Sequence, residues 1–352
     1  MKKRTLALFL SLLMVMSLLL VGCGDGGEEA KDPSTGGEVL DVDMEPVQWS
    51  FGCHAGSTSS YYLMEVEFAD AVRERTNGLV DITVYAAGEI PYQGTEFARC
   101  VSDGTLEMAA APFSYISGEC PACGVVGWPF LAGEVDELGL AIEAADPYIN
   151  NELNAMGIKV VGYTSAPMQT MFGVGETPRS LEDLAGRKLR TFDAYQPQIF
   201  ANYGVSATSM VMSEVLPSMS KNVIDCALTG IIAAADVKWY DTCTWAYLLP
   251  VSASGDIVMI NQELFNSLPE EIQTIILEEA DNLTKANQEF AANSVESAIK
   301  ELQDNGCEVV FPTDEEIAEI TELAKGYWDK WSADVDQNAK DCLAAVRAAV
   351  GK

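Results

Sequence analysis

The chain of 352 residues carries 53 Asp and Glu against 21 Lys and Arg, which gives a formal net charge of −32 at pH 7. Such an acidic balance argues against nucleic acid as a partner, because phosphate backbones are bound by clustered Lys and Arg. One histidine and a single Cys-x-x-Cys pair leave no recognisable zinc site, so we expect neither a metal nor a cofactor.

Residues 1–22 are typical of a lipoprotein signal peptide. Cations at positions 2–4 precede an apolar run over 6–21 that only two serines interrupt. The run ends in LVGC, and this ending at Cys23 resembles the lipobox of bacterial lipoproteins, in which the cysteine is lipidated after cleavage. The alternative is a short transmembrane anchor, although a span requires about 20 apolar residues. We therefore predict an extracytoplasmic protein anchored to the cell membrane by lipid on Cys23.

Residues 23–45 form a predicted flexible tether. They are rich in Gly, Asp, Glu and Pro and contain too few apolar residues to bury a core. Removal of the signal takes away three cations and no acid, so the formal charge changes from −32 to −35. The mature protein is therefore more acidic than the full chain.

From about residue 46 onward, strand and helix patterns alternate over a length sufficient for two domains. Residues 79–85 (LVDITVY) alternate at period two, as in a half-buried strand, whereas 59–76 places apolar residues at helical spacing. The predicted strands are 48–52, 79–85, 106–110, 158–163 and 256–261, and the predicted helices of this part are 59–76 and 95–102. This alternation predicts an α/β fold.

Eight cysteines remain besides Cys23, and an even number outside the cytoplasm permits disulfides. Several of them lie in apolar patterns, where a free thiol packs as a small hydrophobe. The CPAC sequence at 120–123 is similar to a redox Cys-x-x-Cys, but such motifs open a helix. Gly124, Gly127 and Pro129 disfavour a helix at this point. We expect a local disulfide or free thiols here, not redox catalysis.

The segment at 181–192 (LEDLAGRKLRTF) concentrates Arg187, Lys188 and Arg190 in an otherwise acidic chain. Its last five residues alternate as a strand, so Lys188 and Arg190 share one face, opposite Leu189. For Arg187 and Lys188 we favour a solvated turn. Arg190 could serve either a structural salt bridge or a bound anion.

Residues 270–306 predict one long helix, because helix-forming residues run without proline or glycine up to Asn305-Gly306. About 36 residues at 1.5 Å per residue extend about 54 Å, more than one small domain can cover. Such an element most simply spans two lobes. A short strand at 307–311 and helices that contain Trp328 and Trp331 follow.

Eight motifs occur in an order that resembles the DctP-type solute-binding subunits of TRAP (tripartite ATP-independent periplasmic) transporters. They are FGCHAG (51–56), FADAVRERTNGLVDITVYAAGEI (68–90), DGTLEMA (103–109), WPFL (128–131), LEDLAGRKLRTF (181–192), MSEVLPSMSKNVIDCALTG (212–230), KWYD (238–241) and NQELFNSLPEEIQ (261–273). No single motif is decisive. The resemblance depends on the fact that all eight occur in the family's order. It covers nearly the whole mature chain.

The resemblance implies a two-lobed type II periplasmic-binding-protein fold with a long helix that spans both lobes. The implied parts are lobe I at 46–166, lobe II at 167–254, a return to lobe I with the spanning helix at 255–290, and C-terminal helices at 291–352 that pack on lobe II and across the lobes. Family members capture a small organic acid in the cleft between the lobes and deliver it to membrane permease subunits. Most of them act as monomers, so the resemblance implies a monomer.

The family's binding residues transfer to this sequence position by position. The residue matching Arg190 points into the cleft and binds the solute carboxylate, for which a planar guanidinium offers two parallel N–H donors. His54 stands where relatives carry a polar residue that hydrogen-bonds the solute, and its titration would make affinity pH-dependent. The alternative for His54 is a loop histidine without a ligand role.

Gln169 stands where some members place a second arginine, which argues against the sialic-acid type. Met212 and Thr229 match ligand-lining positions of lobe II. Aromatic wall positions are matched by Trp128, Phe113 and Trp239. Aromatic walls suit an apolar or aromatic acid, although each of these rings could equally belong to the core.

Two other functional classes stay open beside solute delivery. A ligand sensor would present its bound form to a receptor instead of a permease, and adjacent genes for membrane subunits would favour transport. An extracytoplasmic enzyme could recruit only His54 or the CPAC pair, because GxSxG, HExxH and phosphate-loop motifs are absent from the sequence. A turnover assay with candidate acids separates an enzyme from a binding protein.

Overall fold

Two β-sheets with helices packed around them form the part of the chain that a computed structural model describes, residues 42–133, 135–191, 195–210 and 212–352. The predicted signal, Cys23 and the tether up to residue 41 lie outside the described residues. Strands β1 to β11 are Val47–Cys53, Val80–Tyr85, Met108–Pro112, Ile158–Tyr163, Ala166–Gly173, Lys188–Thr191, Ser206–Ser209, Cys226–Gly230, Trp245–Ser254, Asp256–Asn261 and Glu308–Val310. The six strands predicted before residue 270 lie at β1, β2, β3, β4, β6 and β10, and the predicted α/β fold is confirmed.

Helices occupy much of the remaining chain. Helices α1 to α12 are Ser60–Arg75, Phe97–Ser102, Phe113–Ile116, Pro121–Val126, Val135–Ala155, Gln196–Phe200, Val215–Ser220, Ile231–Asp236, Gln262–Asn266, Glu270–Asp304, Asp314–Asp334 and Gln337–Val350. The predicted helices at 59–76 and 95–102 are confirmed as α1 and α2. Among the described helices, none combines the length and apolar character that a membrane crossing requires.

The first sheet has the strand order β2-β1-β3-β10-β4. Strands β1, β2 and β3 are parallel, whereas β10 runs antiparallel to both of its neighbours. The second sheet has the order β11-β9-β5-β8-β6-β7, with β6 parallel to β7 and β8. Both sheets belong to one compact unit, Val42–Lys352, so the predicted boundaries of two lobes stay predictions.

The chain passes between the two sheets at neighbouring points, Thr164–Ser165 and Gly255, which we call the crossing. The Thr164 amide donates to the carbonyl oxygen of Asp256 at 2.9 Å, and the Asp256 amide donates to the Thr164 hydroxyl at 3.1 Å. A Cβ at Gly255 would lie 2.0 Å from the Thr164 carbonyl oxygen, so no side chain fits there. The two passages therefore hold each other through backbone contact.

The predicted long helix is confirmed as α10, whose 35 residues extend about 52 Å. It packs on α1 and β4 beside the first sheet and on α8, β5 and β11 beside the second. At its centre, the fully buried Asn287 accepts a short hydrogen bond at Oδ1 from the Ser165 amide at the crossing. The helix thus braces both sheets and is tied to the point where the chain changes sheet.

The expectation that residues after Cys120 do not form a helix is wrong, because α4 occupies Pro121–Val126. Pro121 stands at the first helical position, where a missing N–H costs nothing, and Gly127 ends the helix. All eight cysteines of the described residues are buried, and none of them forms a disulfide. The alternative of free thiols therefore describes the CPAC pair in this structure.

Candidate functional site

The edges of the two sheets meet at the crossing and carry most of the predicted site residues. In the first sheet, β1 and β3 end at this edge and the antiparallel β10 begins there. In the second sheet, β6 and β8 end at the edge from which β5 starts. Ligands of open α/β sheets bind outside the carboxyl ends of the strands. The junction is therefore the candidate binding site.

Arg190 is the buried cation of this junction and is 1% exposed in β6. Its Nε donates to the Met210 carbonyl oxygen at 2.8 Å, and its Nη1 donates to the Leu228 carbonyl oxygen at 2.7 Å. These two bonds orient the guanidinium plane. Burial lowers the pKa of Arg190 to about 10, which Tyr115 partly opposes, so the group stays protonated at neutral pH.

Three further predicted residues lie at the same edge of the second sheet as Arg190. Gln169 in β5 is 7% exposed, and its Oε1 accepts a hydrogen bond of 3.0 Å from Gln196 Nε2. Thr229 in β8 donates through its hydroxyl to the sulfur of Met212 at 3.8 Å. Because β8 lies between β5 and β6, the structure brings Gln169, Thr229 and Met212 to the neighbourhood of Arg190.

His54 forms a pair with Asp256 at the edge of the first sheet. His54 follows β1 directly, Asp256 opens β10, and His54 Nε2 lies 2.8 Å from Asp256 Oδ2. Burial lowers the pKa of His54, but the charge and hydrogen bond of Asp256, with a further contribution from Glu65, outweigh it and raise the pKa above 6.5. Protonated His54 is thus favoured by the acids around it.

Tyr115 lies within the electrostatic reach of both sheet edges. Burial raises the pKa of its phenol, Arg190 lowers it, and Asp256 raises it. The Tyr115 ring centroid is 6.1 Å from that of His54, in an edge-on arrangement. A Cβ at Gly94 would lie 3.0 Å from side-chain carbons of both His54 and Tyr115. The glycine therefore permits the close packing of these two rings.

Glu65 is a buried acid on α1 in the same cluster. It is 1% exposed, and neither carboxyl oxygen has a hydrogen-bond partner within the described part of the chain. Burial raises the pKa of Glu65 to about 8 and Asp256 adds to this rise, whereas Cys53 and His54 lower the pKa. The carboxyl group is therefore protonated at neutral pH. A buried polar group without a partner costs about 1–3 kcal/mol.

Two of the predicted aromatic residues lie near the junction. Trp128 is 2% exposed and stacks on Tyr195 with ring centroids 4.0 Å apart. Its buried indole N–H finds no acceptor among the described residues. Phe113 stacks on Tyr163, with centroids 5.9 Å apart, and one of its ring carbons would lie 3.2 Å from a Cβ at Gly255. Phe113 therefore packs beside the crossing.

Trp239 belongs to a different hydrophobic core from Trp128 and Phe113. It is 1% exposed and packs in a hydrophobic core beside the second sheet, with its ring 5.5 Å from Phe172. Residues of α10, Ala298 and Leu302, belong to the same core. The structure thus gives all three aromatic residues the core environment that the sequence left open as an alternative.

Arg187 and Lys188 lie apart from the junction, at the opposite edge of the second sheet. Arg187 Nη2 donates to the Glu176 carbonyl oxygen at 2.6 Å, and Lys188 Nζ donates to that of Asn222 at 2.5 Å. A surface cavity of about 380 Å³ at this edge is lined by Glu176, Thr177, Arg179, Asp183, Arg187 and Glu308. Of the three clustered cations, only Arg190 reaches the junction.

Sequence reasoning missed Asp256, Tyr115 and Glu65. Glu65 had a signal, because it shares the buried face of α1 with Phe68, Ala69 and Val72 at helical spacing, where an apolar residue is expected. Asp256 and Tyr115 had none, since only the folded chain brings them to His54.

Metal and redox chemistry find no support within the described residues. No group of three or more His, Cys, Asp and Glu there could hold a metal ion. Cys123 Sγ lies 2.8 Å from Cys120 Sγ, and burial, followed by the neighbouring Cys120, raises the pKa of Cys123 well above its ordinary value. Reactive thiols have lowered pKa values, so this pair has the character of structural thiols.

The sequence model of a known family covers most of the chain. The model described as DctP, bacterial extracellular solute-binding protein, family 7, matches residues 51–334. This range contains all eight motifs on which the resemblance depends.

Individual relatives agree with that match. A solute-binding protein of Sulfitobacter sp. (strain NAS-14.1) is 23% identical over 286 residues, which are 80% of this chain and 85% of the relative. The monocarboxylate 2-oxoacid-binding periplasmic protein of Nostoc sp. (strain PCC 7120) is 28% identical over 271 residues, which are 72% of this chain and 70% of that protein. The solved structure of DctP7, a Bordetella pertussis extracytoplasmic solute receptor binding pyroglutamic acid, is 22% identical with a TM-score of 0.79, over 86% of this chain and 99% of that chain. This structural similarity confirms the predicted fold.

Proposed function

The chain belongs to the DctP family of bacterial extracellular solute-binding proteins, family 7, and from this premise we propose that it captures an organic acid through Arg190 and delivers it to a membrane permease. The family consists of solute-binding receptors and not of enzymes, which excludes the catalytic alternatives for His54 and the CPAC pair. Membership also confirms the predicted resemblance to TRAP-type solute-binding proteins.

The observation that carries the proposal is the buried guanidinium of Arg190 at the carboxyl edge of the second sheet. Two backbone carbonyl groups orient the guanidinium in this position. A ligand carboxylate would accept charge-assisted hydrogen bonds from it, which are stronger than hydrogen bonds between neutral groups. Gln169, Thr229 and the indole N–H of Trp128 then provide neutral polar groups around the same acid.

The ligands of the relatives support the proposed ligand class. The Nostoc protein is named for monocarboxylate 2-oxoacids, and DctP7 for pyroglutamic acid, and each of these ligands carries one carboxylate. One carboxylate matches Arg190, because position 169 holds glutamine where some family members place a second arginine. We therefore infer a monocarboxylate ligand that binds between the two sheet edges and draws them together by hinge bending at the crossing.

Delivery and anchoring form the second part of the proposal. The family is extracellular, and the residues up to Cys23 have the pattern of a lipoprotein signal. A lipid on Cys23 would hold the protein at the outer face of the membrane, where permease subunits take up the bound acid. The acidic stretch after Cys23 would serve as the tether.

The experiment that tests the proposal compares Arg190→Ala and Arg190→Lys with the native protein by calorimetric titration of a panel of monocarboxylic acids. We expect Arg190→Ala to weaken binding at least about tenfold, because a hydrogen bond to a charged group contributes about 1.5–3 kcal/mol. Arg190→Lys should recover only part of the affinity, since a lysine keeps the charge but loses the planar pair of donors.

Arg187→Ala is the matched control, because Arg187 lies in the same cationic segment but at the opposite edge of the sheet. Its affinity should equal that of the native protein. Thermal unfolding of each variant confirms that it is folded. Unchanged affinity in a folded Arg190→Ala variant contradicts the proposal.

A further inference from the structure

The edge of the first sheet carries a hydrogen-bond acceptor, Asp256, opposite Arg190, the cation of the second sheet. Asp256 Oδ2 accepts from His54 at 2.8 Å, whereas Asp256 Oδ1 receives no hydrogen bond from any residue that the structure describes. The Asp256 side chain is only 7% exposed. A carboxylate so shielded from water gains from a partner that brings a hydrogen-bond donor.

A second and independent observation points to a ligand at the same place. The carboxyl group of Glu65, which is 1% exposed, has no hydrogen-bond partner for either oxygen within the described residues. Glu65 influences the pKa values of both His54 and Cys53, and Asp256 raises the pKa of Glu65, so the three groups lie in the same cluster as Asp256. Because the buried Glu65 carboxyl keeps its proton at neutral pH, Asp256 is the charged acceptor of this cluster.

The acceptor cluster and Arg190 lie at the two sheet edges that meet at the crossing, because Asp256 follows Gly255 in the chain and β6 ends at the edge from which β5 starts. Tyr115 packs on His54 and responds electrostatically to both Asp256 and Arg190. Gly94 fixes the position of the Tyr115 and His54 rings, because any larger residue would collide with them. A ligand held by Arg190 at one end would thus have the Asp256 cluster within reach of its other end.

We propose that Asp256, held by His54 and backed by Glu65, forms an acceptor subsite that selects carboxylic acids bearing a hydroxyl or amide N–H donor. This inference rests on the proposed function and specifies its ligand class. A neutral donor fits the charges of the site, since Arg190 pairs with the ligand carboxylate and His54 with Asp256. Acids that present only acceptors to Asp256, such as 2-oxo acids, would face electrostatic repulsion.

Matched ligand pairs test the inference on the full mature chain. Each 2-hydroxy acid is titrated beside its 2-oxo acid, and pyroglutamate beside the lactone in which oxygen replaces the ring N–H. The members of each pair share size and carboxylate and differ in the donor alone. We expect calorimetry to show at least tenfold tighter binding of the donor-bearing member in each pair that binds.

Variants then locate the preference at the proposed subsite. Asp256→Asn should reduce the ratio of affinities within a pair to near one, and Glu65→Gln should reduce it in part. Glu67→Gln, an exposed position on the same helix, should leave the ratio unchanged. If Asp256→Asn does not fold, the ratio of affinities within each pair, measured on the native chain and on Glu65→Gln, still tests the acceptor subsite.

The possible outcomes separate this inference from the proposed function. Equal binding within pairs, abolished for both members by Arg190→Ala, overturns the acceptor subsite and leaves carboxylate capture intact. Tighter binding of 2-oxo acids overturns the subsite as well. Binding that survives in Arg190→Ala, or the failure of every acid to bind, counts against the proposed function and against the subsite with it.

Discussion

Burial of the Glu65 carboxyl raises its pKa from 4.5 to about 8, so the folded protein keeps a proton that the unfolded chain releases within this window. A group whose pKa is raised by folding stabilises the folded state below its unfolded pKa, and this contribution is lost as the pH rises through the folded pKa. The raised pKa of His54 acts in the same direction above pH 6.5. Both groups therefore favour folding at mildly acidic pH.

We predict that Glu65→Gln raises the free energy of unfolding relative to the native protein increasingly from pH 5 to pH 8. The native protein should lose about 1.4 kcal/mol per pH unit through Glu65 in this window, whereas glutamine does not titrate. Urea unfolding of the unliganded proteins at several pH values measures the difference.

Glu67→Gln serves as the control on the exposed face of α1 and should follow the native pH profile. A difference between Glu65→Gln and the native protein that stays constant with pH would show that Glu65 does not hold its proton in the folded state.

The sequence drew attention to Arg190 but not to Asp256 or Tyr115, and the reason is physical. Arginine is rarely buried without a partner, so an arginine on a predicted strand of a −32 chain is conspicuous before folding is known. Asp256 and Tyr115 show no unusual pattern in the sequence. They come close to His54 only through the antiparallel pairing of β10 with β3, two strands that are more than a hundred residues apart in the sequence. Their ligand roles, like that of Arg190, stay predictions until binding is measured.

Helix α10 supports the crossing through one buried side chain. Asn287 is fully buried and accepts at Oδ1 from the Ser165 amide, and its neighbour Thr284 accepts at 3.2 Å from the Tyr163 amide. These bonds satisfy backbone donors where the chain leaves the first sheet. A buried amide without an acceptor costs about 1–3 kcal/mol.

We therefore predict that Asn287→Ala lowers the free energy of unfolding by about 1–3 kcal/mol, because it leaves the Ser165 amide without its acceptor. Asn282→Ala is the matched control, since Asn282 is an exposed asparagine on the same helix that bonds only to the neighbouring Glu279 within the described residues. Chemical denaturation measures both variants. Equal stability of the two variants would contradict the role assigned to Asn287.

Helices whose local sequence favours a helix throughout could be predicted. Helices that depend on packing against other elements could not. The long helix α10 lacks proline and glycine, so its bounds could be read to within two residues. Helix α5 was not predicted, because Pro147 stands inside it, yet its packing on α4 and α12 maintains it. Helix α4 was predicted against because of Gly124, Gly127 and Pro129, yet Gly124 lies inside the helix and Gly127 ends it.

At the scale of the whole molecule, the formal charge of −35 without the signal opposes the approach of an anionic ligand. The proposed contact of a ligand carboxylate with Arg190 would be worth about 4 kcal/mol at 4 Å in a site of effective dielectric near 20. One surface carboxylate about 20 Å away in water contributes on the order of 0.2 kcal/mol before screening. The repulsion therefore acts on long-range approach more than on the bound state.

Added salt distinguishes the effect of charge on approach from its effect on the bound state, because it screens exposed charges. The Debye length falls from about 30 Å at 0.01 M salt to about 8 Å at 0.15 M. We predict that the association rate constant of an acid ligand rises about two- to tenfold over this range, while the dissociation rate constant changes less, since the contact at Arg190 is buried. Stopped-flow tryptophan fluorescence measures both constants. An association rate that falls with added salt would mean that a local positive field around Arg190, and not the net charge, governs capture.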